Sequence, residues 1–84
     1  MPLVITGREG AIRWGYRTIG AVRDWRLATI DGSLTLTATV VTLDEFAASQ
    51  RPLTFSARQG MWRWPIDTLQ HSHGALTARL GAQE

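Results

Sequence analysis

Apolar and polar residues alternate with a period of two over much of this chain, which is typical of β-strands with one buried face. The clearest example is the stretch 34–40, where leucine, alanine and valine alternate with threonine. A similar stretch at 25–30 precedes it, and Asp31 and Gly32 separate the two. Because glycine tolerates the positive φ of a tight turn, this pair predicts a short β-hairpin.

The second half of the chain has the same organisation. The pattern predicts a strand over 64–70, a loop over 71–74 and a return strand over 75–80. Each half also begins with a short apolar run, at 3–6 and at 53–56. We expect a turn after each of these runs, around Gly10 in the first half and Gly60 in the second.

The two halves also resemble each other in sequence. Residues 2–14 align without a gap on residues 52–64, with Pro, Leu, Arg, Gly, Arg and Trp in common. Weaker matches follow, of 25–30 with 64–69 and of 36–40 with 76–80. A repeated unit constrains architecture more firmly than any single propensity. The prediction is an all-β fold, a small six-stranded barrel or sandwich made from two duplicated three-stranded units.

A short helix is predicted between the two units. Asp44 suits an N-cap position and Glu45 suits the positive end of a helix. The helix should end before Arg51, because a residue that precedes proline avoids the α region. The residues 15–24 have no counterpart in the second unit and are compatible with a strand extension, a helix or a mobile loop. Their alternation favours the strand extension.

Length and composition limit the class of protein. With 84 residues the chain is predicted to be one domain, 1–84, with repeats at 2–43 and 52–81 and a linker at 44–51. It has no cysteine, so disulfides are excluded, and association with other subunits is the expected extra support for its thin core. The net charge of +2 does not demand a nucleic-acid partner. No apolar run approaches membrane-spanning length, so no membrane partner is expected, and the start of the chain does not resemble a signal peptide.

Candidate catalytic and metal-binding residues are few. His71 and His73 would share one face if they lay on a strand, but they have no third histidine or cysteine beside them. The serines, histidines and carboxylates form no recognisable nucleophile motif. We therefore predict no catalytic residue, no cofactor, no metal and no small-molecule substrate.

Arginine and tryptophan recur at matching places in the two halves. They could form an exposed basic and aromatic surface that stacks bases and contacts phosphates, or that contacts another protein. Alternatively, the tryptophans form the core and the arginine stems cover them, which is the interpretation we favour. The residues predicted to bind a partner are Arg13, Trp14, Tyr16, Arg17, Trp62 and Arg63.

Several segments resemble small proteins encoded among the virion structural genes of tailed bacteriophages. These segments are the runs 46–55, 64–70 and 76–81, together with 3–8 and 12–16. The resemblance implies a non-enzymatic virion component, such as a capsid-decorating or head–tail joining subunit. Its partners would be other virion proteins or copies of itself, and it would be assembled into the virion in the host cytoplasm. The alternative prediction is a small nucleic-acid-binding β-barrel that uses Arg13, Arg63 and the nearby tryptophans.

Overall fold

A computed structural model describes residues 4–84. Most of these residues lie in six β-strands, with one short helix between the third strand and the fourth. The strands are β1 (Val4–Trp14), β2 (Arg17–Ile30), β3 (Ser33–Leu43), β4 (Leu53–Ala57), β5 (Trp62–Ser72) and β6 (Ala75–Leu80), and the helix is α1 (Glu45–Ala48).

The strands close into a barrel in the order β1-β2-β3-β6-β5-β4. Every neighbouring pair is antiparallel. Each half of the chain therefore forms a meander of three consecutive strands, and the two meanders meet at both of their outer edges. The prediction of a six-stranded all-β fold with a helix between two three-stranded units is confirmed. Of the two predicted forms, barrel and sandwich, the protein adopts the barrel.

Two strand pairings join the meanders. β1 pairs with β4 through residues 10–13 and 54–57, and β3 pairs with β6 through residues 34–39 and 75–80. Exchanging β1, β2 and β3 for β4, β5 and β6 reproduces the same set of neighbours. The topology therefore has the two-fold relation that two equivalent units require.

The backbone paths of the two aligned sequence segments are nevertheless different. β1 continues without interruption through Gly10, which pairs with β2 on one side and β4 on the other. In the second segment the chain turns at residues 58–61, and residues 58–60 all have positive φ. The predicted turn at Gly60 is confirmed and the predicted turn at Gly10 is wrong. Gly10 instead makes room for the ring of Phe55, which a Cβ atom at position 10 would overlap.

The other connections follow the sequence prediction closely. Asp31 and Gly32 form the turn of the β2–β3 hairpin. Residues 15–24 are the Gly15–Tyr16 turn followed by the first part of β2, so the strand extension is confirmed. The predicted loop 71–74 is too long, since β5 continues to Ser72 and only two residues form the turn. The predicted helix is confirmed, with the Asp44 side chain accepting a hydrogen bond from the Ala47 backbone N–H.

Aromatic rings from three strands form the centre of the barrel. The Trp25 ring packs edge-on against the Phe55 ring at 5.4 Å between centroids, and Phe55 stacks on Trp64 at 5.8 Å. All three side chains are buried. Aliphatic residues from all six strands surround them, namely Ile12, Val22, Leu27, Leu36, Leu53, Ile66, Leu76 and Leu80. The tryptophans Trp25 and Trp64 are therefore core residues.

Trp25 is in its buried position because the opposite residue on β1 is a glycine. Gly7 pairs with Trp25, and a Cβ atom on Gly7 would overlap the indole ring. The indole Nε1–H donates a 2.9 Å hydrogen bond to the backbone oxygen of Glu9. The polar group of the ring is thus satisfied where its apolar surface is buried, as buried indoles require.

We expect Gly7→Ala to lower the free energy of unfolding by about 1–3 kcal/mol, because the added methyl group would overpack the Trp25 site. Thr6→Ala is the matched control, since Thr6 is an exposed neighbour on the same strand and should change stability by less than about 1 kcal/mol. Urea unfolding followed by tryptophan fluorescence measures both. Equal stability of Gly7→Ala and wild type would show that the indole does not need the open space above Gly7.

Candidate partner-binding surfaces

The six residues predicted to bind a partner do not form one surface. Trp14 and Trp62 are half-buried and pack against the core. Arg13 is half-buried and Arg63 is exposed, and both are at positions that point away from the buried neighbours Ile12 and Trp64. The remaining two residues, Tyr16 and Arg17, are exposed at the β1–β2 turn and the start of β2. Arg13 and Arg63 thus project from the opposite side of the barrel wall to Trp14 and Trp62.

Arg13 and Arg63 are brought close to each other by β4, which lies between their strands. Arg13 is opposite Thr54 on β4, and Ser56 on β4 is opposite Arg63 on β5. Directly opposite residues in antiparallel strands project from the same face. Because Phe55 between them is buried in the core, Thr54 and Ser56 project outward together with the two arginines.

Two adjoining depressions cover this part of the outer surface. One, of about 380 Å³, is lined by Arg13, Gly15, Tyr16, Thr54, Arg63 and Glu84. The other, of about 300 Å³, shares Arg13 and extends along Glu9 and Ala11 to Ser56 and the 58–60 turn. We call the two depressions together the β4 groove. Its floor carries small side chains, and its borders carry Arg13, Arg58 and Arg63.

The Trp62 ring is engaged by its own chain. The guanidinium carbon of Arg58 lies 4.3 Å from the centroid of the Trp62 ring, a cation–π contact. The ring also packs edge-on against Trp64, with 6.3 Å between centroids. For Trp62, this contact supports the interpretation that an arginine side chain covers a tryptophan at the edge of the core. It leaves Trp62 less available for stacking on a ligand.

A second surface lies where the β1–β2 turn meets α1. Arg17 and Asp44 form an ion pair across it, with 3.2 Å between Nη2 and Oδ2. Tyr16, next to Arg17, is 99% exposed, and Phe46, two residues after Asp44, is 77% exposed. Val41, near the end of β3, is also exposed. We call the exposed aromatic residues Tyr16 and Phe46, which neighbour the two partners of this ion pair, the apolar end of the barrel.

The sequence prediction included Tyr16 but missed Phe46 and Val41. A strong indication for Phe46 was available, because a helix of one turn buries only one or two of its residues. Ala47 is the buried residue of α1, so its neighbour must project away from the core. Val41 could not have been found in this way. The β2–β3 register shifts at this point, so the alternation from earlier in β3 does not continue.

The two histidines are separated by the β5–β6 turn. His71 is half-buried on β5, with its Nδ1 atom 3.3 Å from Oε1 of Glu45. His73 is in the turn itself, with φ of 53°. The two therefore do not share a strand face, because His73 lies in the predicted loop and not on a strand. Within residues 4–84 no group of three His, Cys, Asp or Glu side chains is close enough to hold a metal ion.

Comparison of the chain with protein-family models, with curated proteins and with solved structures gives no match. Over the part of the chain that the structure describes, no helix has the length and apolar character needed to span a membrane. The residues of the β4 groove and of the apolar end are therefore the structural indications of function.

Asp44 has two contacts that fix the apolar end, and two substitutions separate them. Asp44→Ala removes both the helix cap and the Arg17 ion pair, and should cost about 1 kcal/mol of unfolding free energy. Asp44→Asn keeps a capping oxygen, so it should cost only about a third of that amount, because exposed ion pairs contribute little. Urea unfolding of the two variants compares the contacts. Equal losses would show that the ion pair, and not the cap, holds α1 in place.

Proposed function

We propose that the protein is a non-enzymatic structural subunit that acts by docking onto other proteins. The observation that carries this proposal is the apolar end, where an almost fully exposed tyrosine and a largely exposed phenylalanine flank one ion pair. Exposed side chains of this size are costly to leave in water, at about 25 cal/mol for each Å² of apolar surface. Aromatic residues surrounded by polar groups are typical of protein–protein interfaces.

We further propose that the assembly is a virion of a tailed bacteriophage, and that the chain is a capsid-decorating or head–tail joining subunit. This more specific proposal rests on the sequence resemblance described above. The partners would be copies of the same chain or other virion proteins. A small barrel that presents aromatic side chains at one end is physically suited to such a role, because each added subunit buries surface that the isolated domain leaves exposed.

A nucleic-acid-binding barrel is the alternative proposal, and one observation favours it. Arg13 and Arg63, the two arginines on which it depends, border the same groove. Single-strand binders also need aromatic faces on which bases can stack. Trp25 and Trp64 are buried, and one face of Trp62 is covered by Arg58, so the docking role has the stronger support.

We expect the protein to associate with itself in solution through the apolar end. The double variant Tyr16→Ser, Phe46→Ser should weaken this association by at least about tenfold, since aromatic anchors contribute most of the binding energy of an interface. The matched control is Ile30→Ser, Met61→Ser, which removes two other exposed apolar side chains. Sedimentation velocity over a concentration series measures the association of all three proteins.

A second measurement addresses the virion itself. Phage particles purified from the organism that encodes the chain should contain it, as detected by mass spectrometry of the particle proteins. A protein that stays monomeric at all concentrations and is absent from such particles would contradict the proposed function. Equal weakening by the control variant would contradict the assignment to the apolar end.

A further inference from the structure

We infer that the β4 groove is a binding site for an extended acidic segment of a partner protein. The inference rests on the proposed docking function, and it adds a second surface with a different chemistry from that of the apolar end. The groove is defined by the outward residues of β1, β4 and β5 and by the 58–60 turn. Three arginines border it, and they come from three places in the fold: Arg13 from β1, Arg58 from the 58–60 turn and Arg63 from β5.

The arginines of the groove lack acidic partners. Across residues 4–84, the carboxylates that lie within ion-pair distance of a basic side chain are Asp44, beside Arg17, and Glu45, beside His71. Arg13, Arg58 and Arg63 are therefore left without a carboxylate at ion-pair distance. Arg13 donates from Nη2 to the backbone oxygen of Tyr16 at 3.1 Å, which orients its side chain along the groove. A guanidinium has five N–H donors, so most of those on Arg13 stay free for a ligand.

The shape of the site suits an extended chain. β4 has only five residues, and the two that project outward, Thr54 and Ser56, are small. Larger side chains and the 58–60 turn rise on both sides, so the floor is lower than its borders. Ser56 is 5% exposed although it points outward, which shows that its neighbours enclose it. Planar guanidinium groups bind carboxylates through two parallel hydrogen bonds, so arginines spaced along a trough favour a ligand with spaced carboxylates.

The same residues disfavour a nucleic-acid strand. Glu9 and Glu84 also line the groove, one in each depression. A continuous phosphate backbone would pass close to both of these carboxylates, whereas an acidic peptide can place uncharged residues beside them. Among the nearby aromatic rings, Trp64 is buried and one face of Trp62 is covered by Arg58, so base stacking would depend mainly on Tyr16 at one end of the groove. We therefore assign the groove to a protein segment.

The experiment titrates the full chain against a fluorescein-labelled peptide in which Glu alternates with Ser, and follows fluorescence anisotropy. A peptide with Gln in place of Glu and a labelled oligo(dT) strand are titrated in parallel. We expect the Glu peptide to bind more tightly than both, and its affinity to fall between about 50 mM and about 500 mM salt, where screening shortens the range of charge interactions.

Variants locate the site. Arg13→Gln, Arg63→Gln should weaken binding of the Glu peptide by at least about fivefold, because two charge-assisted hydrogen-bonding groups are lost. The matched control is Arg26→Gln, Arg79→Gln, which removes the same charge from exposed positions on β2 and β6 and should leave the affinity within about twofold of wild type. If the half-buried Arg13 position proves necessary for folding, the single variant Arg63→Glu keeps the test valid and should also weaken binding.

The possible outcomes separate this inference from the proposed function. Equal weakening by the two double variants, or no binding of the Glu peptide, would overturn the inference. Tighter binding of oligo(dT) that depends on Arg13 and Arg63 would overturn it in favour of a nucleic-acid site. Phe46→Ser should reduce self-association and leave peptide affinity unchanged. If the protein self-associates but does not bind the Glu peptide, only the inference about the groove is overturned. If it binds the peptide but does not self-associate, only the proposed role of the apolar end is overturned.

Discussion

The contact on which the rest of this structure depends is the stack of aromatic rings between the two meanders. Trp25 comes from the first meander, Phe55 and Trp64 from the second, and their rings are in direct contact. On one side the meanders are joined only through the short pairing of β1 with β4. A three-stranded sheet is at best marginally stable alone, so burial of these rings supplies much of the reason for the two halves to close.

Closure around these rings decides where the remaining side chains can go. A tryptophan and a phenylalanine need space on the facing strand, and Gly7 and Gly10 of β1 provide it. The inner face is then filled, and the arginines at alternate positions must project outward. Because β4 is short and its outward residues are small, the outward arginines of the neighbouring strands border a depression. The β4 groove is thus a consequence of how the core is packed.

The sequence predicted the architecture well because alternation and hairpin turns are local signals. The β2–β3 turn at Asp31 and Gly32 and the capped helix after Asp44 both depend on residues close together in the chain. Gly10 was misassigned because a glycine can serve either a turn or a neighbouring ring, and only the position of Phe55 tells which. The similar segment around Gly60 does form a turn, but the same sequence pattern around Gly10 lies within a continuous strand.

The candidate site was predicted less completely, for the same physical reason. Alternation correctly placed Trp62 and Trp64 on one face and Arg63 on the other. It could not place Arg13 beside Arg63, since that depends on the pairing of β1 and β5 with opposite sides of β4. Nor could it predict the ion pair of Arg17 with Asp44, which are 27 residues apart in the chain. Contacts between distant segments require the closed barrel to be known first.

The two surfaces are linked through the end of β1. The Arg13 side chain borders the groove and also donates a hydrogen bond to the backbone oxygen of Tyr16, which belongs to the apolar end. Burial of apolar surface stabilises a complex in proportion to its area but does not depend on direction, whereas arginine–carboxylate hydrogen bonds require a specific geometry. A partner that uses both surfaces would therefore gain affinity from the aromatic side chains and orientation from the arginines. Because a hydrogen bond joins Arg13, near the end of β1, to Tyr16 in the turn that follows, the relative position of these two residues does not have to be ordered on binding.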